Sequence, residues 1–188
     1  DDLGCASYLV GCEGAGEAVV VDPPYAIEPL LEAARRHEVR IVRVIETHTH
    51  ADHVSGHGRL ALEPGVPVSI HPDAEVAYPS EPLPDGTEIV VGNVVLRCIH
   101  TPGHRPEHCC LAVTDRTRAD EPWLLLTGDS LFVGDAARPD LAVGAQEGAE
   151  AVCEREIVKG IGLGLIHAFD FVFDRILDRM DIDPLFID

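Results

Sequence analysis

The stretch Thr47-His48-Thr49-His50-Ala51-Asp52-His53 decides how this chain is interpreted. Three histidines and one aspartate fall within six consecutive positions, directly after the apolar run 41–45. Imidazole and carboxylate groups bind borderline divalent metals, and a loop at a strand end can direct several of them at one point. The alternative is a polar loop with solvent-facing histidines, which four ligand-type side chains so close together disfavour. The stretch therefore predicts a metal-binding loop.

Two later segments place further ligand-type side chains at strand ends. His104 closes the stretch Thr101-Pro102-Gly103-His104, in which proline and glycine favour a sharp turn that presents the imidazole. Asp129 follows the apolar stretch 124–127, and a loop cap is the alternative role for this residue taken alone. Distant segments that converge through strand-end loops are the usual way to assemble an α/β site.

Hydrophobic periodicity and turn residues predict a mixed order of strands and helices. The predicted strands are 7–10, 18–21, 41–45, 66–70, 87–91, 94–100, 108–113 and 123–127. The predicted helices are 27–37 and 54–62, and the proline-rich segment 72–86 is predicted to be a loop.

Composition narrows the class of protein. The 188 residues, 46% of them apolar, fit a single globular domain over 1–188. A net charge of −19 argues against nucleic acid as a partner, because phosphate binding needs basic patches. We find neither an apolar run of about 18 residues nor a signal-peptide pattern, so we expect no membrane span and a cytoplasmic location. In that compartment the six cysteines, which lack CxxC spacing, are expected to be reduced thiols.

Taken in order, the three motifs resemble the signature of the metallo-β-lactamase superfamily, over roughly residues 4–145. The resemblance implies an α/β (α+β) fold, the αββα sandwich, with a metal site along one edge. The flanking residues in 46–56, 100–108 and 127–141 resemble those of the persulfide dioxygenases. Such proteins occur alone or fused to rhodanese domains, and they are similar to the glyoxalase II thioesterases but use one iron ion.

The resemblance assigns roles to seven residues. One Fe(II) per chain would be held by His48, His104 and Asp129. Three further residues would either hydrogen-bond the ligands and bound waters or form an unused second metal site: His50, Asp52 and His53. Arg138 would hold a loop beside the site, with a surface ion pair as its alternative role. Four other histidines have no pattern support and are predicted to be ordinary surface or core residues: His37, His57, His71 and His100.

The chain departs from the family pattern from about residue 146. His167 lies 38 positions after Asp129, close to where the family places a further histidine, but its flanking residues differ. Apolar residues at helical spacing predict a helix over 169–180, which either packs on the core or forms a dimer contact.

The resemblance implies oxidation of glutathione persulfide, or a similar small persulfide, by O₂ to sulfite and thiol. The alternative is a hydrolase of the glyoxalase II type with two Zn²⁺ ions. Its first ion would be bound by His48, His50 and His104, its second by Asp52, His53 and His167, with Asp129 between them. A catalytically weak relative, whose altered tail serves binding or assembly, is a third possibility.

Overall fold

The computed structural model describes residues 6–62, 65–132, 135–136 and 186–187. Within these ranges the α-helices are α1 (Glu28–Arg36) and α2 (His57–Leu62), and two short 3₁₀ helices lie at Glu13–Ala15 and Pro72–Ala74. The strands are β1 (Tyr8–Cys12), β2 (Glu17–Val21), β3 (Arg40–Ile45), β4 (Val68–Ile70), β5 (Glu81–Pro82), β6 (Glu88–Val91), β7 (Val94–His100), β8 (Cys109–Asp115), β9 (Leu124–Leu126), β10 (Leu131–Phe132), β11 (Asp135–Ala136) and β12 (Phe186–Ile187).

The described strands form two main sheets. The first has six strands in the order β12-β1-β2-β3-β4-β5, with β1 and β2 antiparallel and the other neighbours parallel. The second has four antiparallel strands in the order β6-β7-β8-β9. All eight predicted strands and both predicted helices are confirmed. The loop predicted over 72–86 is wrong at one point, because β5 pairs with β4 there.

The alternation of side chains along β2 explains how the layers pack. Successive residues of a strand point to opposite faces, so Val19 and Val21 face the second sheet while Ala18 and Val20 face the helices. Val19 and Val21 join Leu96 and other buried residues of β7 and β8 in the core between the sheets.

The outer face of the first sheet is covered by the two helices. Ala34 of α1 and Leu60 of α2 are buried against Val20 and Val44. Helix, sheet and sheet are thus stacked in the described residues. The predicted helix over 169–180, Arg138 and His167 lie outside them. No helix in the described ranges combines the length and apolar character that crossing a membrane requires.

One backbone hydrogen bond links the two sheets beside the loops that carry the motifs. The N–H of Cys109, at the start of β8, donates to the carbonyl of Thr47, just after β3, at 2.9 Å. The turn that carries His104 follows β7, and the loop that carries Asp129 follows β9. The fold therefore brings the three sequence motifs to one edge of the sandwich.

Candidate metal centre

His48, His104 and Asp129, which are far apart in sequence, meet at this edge. The Nε2 atom of each histidine lies 3.6 Å from Asp129 Oδ2, and the three ligand atoms lie within 4.8 Å of one another. A separation of 3.6 Å is too long for a normal hydrogen bond. It suits two atoms bound to one ion, since ligands at about 2.0–2.2 Å from a metal are roughly 3.0–3.6 Å apart. The donor set fits one divalent metal ion.

The residues behind His48 fix the protonation of its ring. Thr47 Oγ1 lies 2.8 Å from Asp22 Oδ2 and 2.9 Å from His48 Nδ1. The carboxylate can only accept, so the hydroxyl donates to Asp22 and accepts from the Nδ1–H of His48. The lone pair of His48 is then on Nε2, which faces Asp129. A hydrogen bond to the remote ring nitrogen is how proteins orient a metal-binding histidine.

The other two members of the group are held in the protonation states that a metal requires. Burial, reinforced by the neighbouring His48, lowers the pKa of His104 and favours its neutral ring. The adjacent His48, when its ring is protonated, holds the pKa of Asp129 below its usual range and favours the carboxylate. A neutral imidazole and an ionised carboxylate are the metal-binding forms of these side chains.

His108 lies directly behind the group and contacts all three loops. Its ring stacks on His48 with centroids 5.2 Å apart, and its Nδ1 lies 3.0 Å from both Thr101 Oγ1 and Ser130 Oγ. Burial and then the nearby His48 lower the pKa of His108 to about 3. The ring is therefore a neutral, buried support between the loops.

Gly128 allows the third loop to approach the first. Its φ is +49°, and a Cβ atom there would lie 2.6 Å from Thr47 Oγ1 and 2.7 Å from His108 Nε2. The left-handed backbone and the lack of space both require glycine. This close contact places Asp129 next to His48.

His50 binds two buried carboxylates instead of facing solvent. Its Nε2 lies 3.2 Å from Asp22 Oδ1 and 3.2 Å from Glu46 Oε2. Burial opposes the charged ring, but hydrogen bonds to Asp22 and Glu46 outweigh it and raise the pKa of His50 to about 10. The buried Nδ1 of His50 has no hydrogen-bond partner among the described residues. Nδ1 is therefore the ring nitrogen that a metal ion can bind, in exchange for its proton.

The remaining residues of the histidine loop form a second group of ligand type. His50, Asp52 and His53 offer ligand atoms within 4.8 Å of one another, and His53 Nδ1 lies 3.2 Å from Asp52 Oδ1. Asp52 is exposed and His53 is partly buried. The loop thus supplies donors on both sides of His50.

Glu46 connects the metal group to a cleft that sequence analysis missed. Its Oε1 accepts hydrogen bonds from Ser55 Oγ at 2.5 Å and from His57 Nδ1 at 3.0 Å. The His57 ring packs on Tyr78 with centroids 4.4 Å apart. The cleft has a volume of about 180 Å³ and is lined by Glu46, His48, Thr49, His50, His53, Ser55, His57 and Tyr78. His57 is therefore part of the site and not an ordinary surface histidine.

A third group, His71, Asp73 and His100, also offers ligand atoms within 4.8 Å of one another, but its two rings are stacked. The two rings are stacked with centroids 3.9 Å apart and planes at 13°, so their in-plane lone pairs run side by side. His71 Nδ1 accepts from the N–H of Asp73, and His100 Nε2 donates to the carbonyl of Pro106. Each ring thus has one nitrogen engaged in a contact with the backbone. His37 pairs with Glu13. That His37, His71 and His100 are ordinary surface or core residues stays a prediction.

Comparison with known families agrees with this architecture. Residues 1–170 match the sequence model of the metallo-beta-lactamase superfamily. The chain belongs to this superfamily. The predicted metallo-β-lactamase fold is confirmed, and membership of this metal-binding superfamily gives the group at the sheet edge its chemical context.

Individual superfamily members show how the chain relates to solved and curated proteins. It is 35% identical over 129 residues to a hydroxyacylglutathione hydrolase of Polaromonas sp., covering 67% of this chain and 47% of the relative. A metallo-beta-lactamase structure from Staphylococcus aureus superposes with a TM-score of 0.73 at 32% identity, covering 81% of this chain and 47% of that one. The structure of ETHE1 from Myxococcus xanthus gives a TM-score of 0.65 at 26% identity, covering 73% and 58%. The chain spans about half the length of these relatives.

Several residues of the site could not be singled out by motif. Asp22 is buried at the end of β2 with φ of 49°, a conformation that aspartate tolerates better than most residues. Its position after an apolar strand is the same signal that pointed to Asp129, so it could have been found. Glu46 directly follows strand β3 and carries the same signal, whereas His57 and Tyr78 do not.

Proposed function

We propose that the protein is a non-heme Fe(II) persulfide dioxygenase. The observation that carries this proposal is the meeting of His48 and His104 on one carboxylate oxygen of Asp129. Two histidines and one carboxylate leave several coordination positions open, the arrangement typical of Fe(II) oxygenases. The reaction is RSSH + O₂ + H₂O → RSH + H₂SO₃, in which the terminal sulfur is oxidised and both atoms of O₂ are reduced.

The iron, when bound, would supply the one-electron chemistry that lets a persulfide react with O₂. The chain's own residues hold the metal ligands in place and orient them. Thr47 and Asp22 fix the ring of His48, and His108 supports the ligand loops from behind. The cleft beside His48 receives the substrate and excludes part of the solvent.

His50, Asp52 and His53 have a different role in this proposal. His50 is anchored through Nε2 to Asp22 and Glu46, which keeps its ring in place beside His48. His53 and Asp52 lie at the open side of the loop, where they can hydrogen-bond substrate or bound water.

The comparisons support the proposal only in part. ETHE1 from Myxococcus xanthus is a structural neighbour, and the residues flanking each motif resemble persulfide dioxygenases. The curated relatives named hydroxyacylglutathione hydrolase act, by their name, on a glutathione derivative. A glutathione-type small molecule is therefore the substrate class that both lines of resemblance share.

A second candidate function is thioester hydrolysis with two Zn²⁺ ions. The observation that favours it is the second donor group, His50, Asp52 and His53, beside the first. Two adjacent metal ions can activate a hydroxide that attacks a thioester carbonyl. His167, the further ligand that the sequence suggested, lies outside the described residues.

Metal analysis of anaerobically purified protein separates the two functions. One iron per chain, with O₂ consumption on glutathione persulfide and sulfite release, is expected. His48→Ala and Asp129→Ala should abolish iron retention, whereas His37→Ala, which alters a histidine paired with Glu13, should not. Two zinc ions per chain, with thioester hydrolysis and no O₂ consumption, would overturn the proposal. A folded protein inert to both substrates would overturn it as well.

A further inference from the structure

A guanidinium group lies next to the metal group in a strongly acidic protein. Arg105 directly follows His104, and its side chain is 43% exposed. Its Nε donates to Glu107 Oε1 at 3.3 Å. No described residue bonds its terminal nitrogens, so they are free to bind a ligand.

Glu107 ties this arginine to the wall of the cleft. The Glu107 carboxylate is buried, and the same Oε1 accepts from the N–H of Thr49 at 3.0 Å and from the Thr49 hydroxyl. Thr49 lies between His48 and His50 and lines the cleft. One carboxylate oxygen of Glu107 thus links Arg105 to Thr49, a residue that lines the cleft.

Charge elsewhere in the chain makes this position unusual. The net charge is −19, which repels an anionic substrate. Five other arginines form ion pairs with carboxylates away from the metal group: Arg40 with Glu17, Arg43 with Glu81, Arg59 with Glu28, Arg116 with Glu88, and Arg118 with Asp115. Arg105 also pairs with a carboxylate through Nε, as Arg118 does, but of these six arginines it alone directly follows a member of the metal group.

We propose that Arg105 binds a carboxylate of the glutathione-type substrate that the proposed function assigns to this site. A guanidinium presents parallel N–H donors that match a carboxylate. Glu107 accepts from the inner nitrogen, and the outer two have no partner among the described residues. This inference rests on the proposed function, because it takes from it the site that the ligand occupies. It does not depend on which reaction takes place in that site.

The test measures binding as well as turnover, with glutathione and its diethyl ester as probes. Calorimetric titration of the metal-loaded protein should show glutathione binding about tenfold more tightly than the diester, as expected for a charge-assisted hydrogen bond. Arg105→Gln should remove this preference. Arg97→Gln, which alters an exposed arginine of β7, is the matched control and should keep it.

Turnover provides the second readout. With glutathione persulfide, Arg105→Gln should raise KM about tenfold and leave kcat within about twofold, because a remote charge contact acts mainly on binding. Equal losses for glutathione and its diester, or no glutathione binding by the wild-type protein, would overturn the inference. If Arg105→Gln weakens glutathione binding selectively while the protein consumes no O₂, the dioxygenase proposal fails and this inference stands.

Discussion

Gly128 lies so close to Thr47 that a methyl group on its Cα would be 2.6 Å from Thr47 Oγ1. The contact joins the loop that carries Asp129 to the loop that carries His48. The geometry of the metal group therefore depends on a residue that binds nothing itself.

Gly128→Ala should lower both stability and metal content. The substitution combines a left-handed φ with a steric clash, so we expect unfolding free energy to fall by about 1–3 kcal/mol. Denaturant unfolding and elemental analysis measure the two effects. Gly58→Ala in α2 is the control, since a Cβ there meets nothing within 4 Å, and it should be neutral or slightly stabilising. Unchanged metal content in Gly128→Ala would contradict the role given to this contact.

Thr47→Val should weaken metal binding while keeping the shape of the side chain. The hydroxyl that joins His48 Nδ1 to Asp22 is lost, and loss of such a supporting group typically costs about 10–100-fold in metal affinity. Competition with a chelator measures this directly. Thr114→Val on β8 is the control, because that hydroxyl makes no hydrogen bond within the described part of the chain. Equal affinities in the two variants would show that the Thr47 hydroxyl does not orient His48.

His50 should make the metal-free protein lose stability in alkali. Its pKa is raised from 6.5 to about 10, so between these values the folded chain holds a proton that the unfolded chain has released. The stabilisation is complete below pH 6.5 and declines as pH rises to about 10. Urea unfolding of chelator-treated protein from pH 6 to pH 10 tests this. In His50→Gln the unfolding free energy should depend less on pH. If it falls equally steeply in the variant and the wild-type protein, the ion pairs of His50 are not the cause.

His108 should make the protein lose stability in acid. Its pKa is lowered to about 3, so between pH 6.5 and 3 the unfolded chain takes up a proton that the folded chain refuses. Stability should therefore fall on acidification from pH 6.5. His108→Phe should reduce this slope without abolishing it, because His71 and His104 also have lowered pKa values. At neutral pH the variant should lose about 1–3 kcal/mol, since the hydroxyls of Thr101 and Ser130 lose a partner. If the unfolding free energy of His108→Phe falls with acidification as steeply as that of the wild-type protein, His108 is not buried in its neutral form.

The sequence predicted the strands well because their periodicity follows directly from burial. Side chains of β2 alternate between the two faces of the first sheet, and both faces are buried. The strand therefore appears in the sequence as a continuous apolar run over 18–21. The meeting of His48, His104 and Asp129 was predictable for a related reason, since each follows an apolar strand. Strand β5 was missed because its two residues, Glu81 and Pro82, are exposed and have no pattern of their own.

The supporting residues were harder to predict because their roles exist only through tertiary contacts. Nothing in the local sequence indicates that Glu46 Oε1 accepts from both Ser55 and His57, or that Tyr78 packs on His57. Arg105 is visible in the sequence, but its placement at the cleft depends on Glu107 and Thr49, 58 residues apart. The locations of Arg138 and His167 remain predictions, as does a homodimer.

The hydrogen bond from Cys109 to Thr47 has a consequence for when the ion can be acquired. His48 belongs to a loop of the first sheet, whereas His104 and Asp129 belong to loops of the second. Before the sheets dock, an incoming ion finds one ligand on one half and two on the other. Tight uptake must then await a nearly finished fold, and the rate of metal loading during refolding would report when the two halves come together.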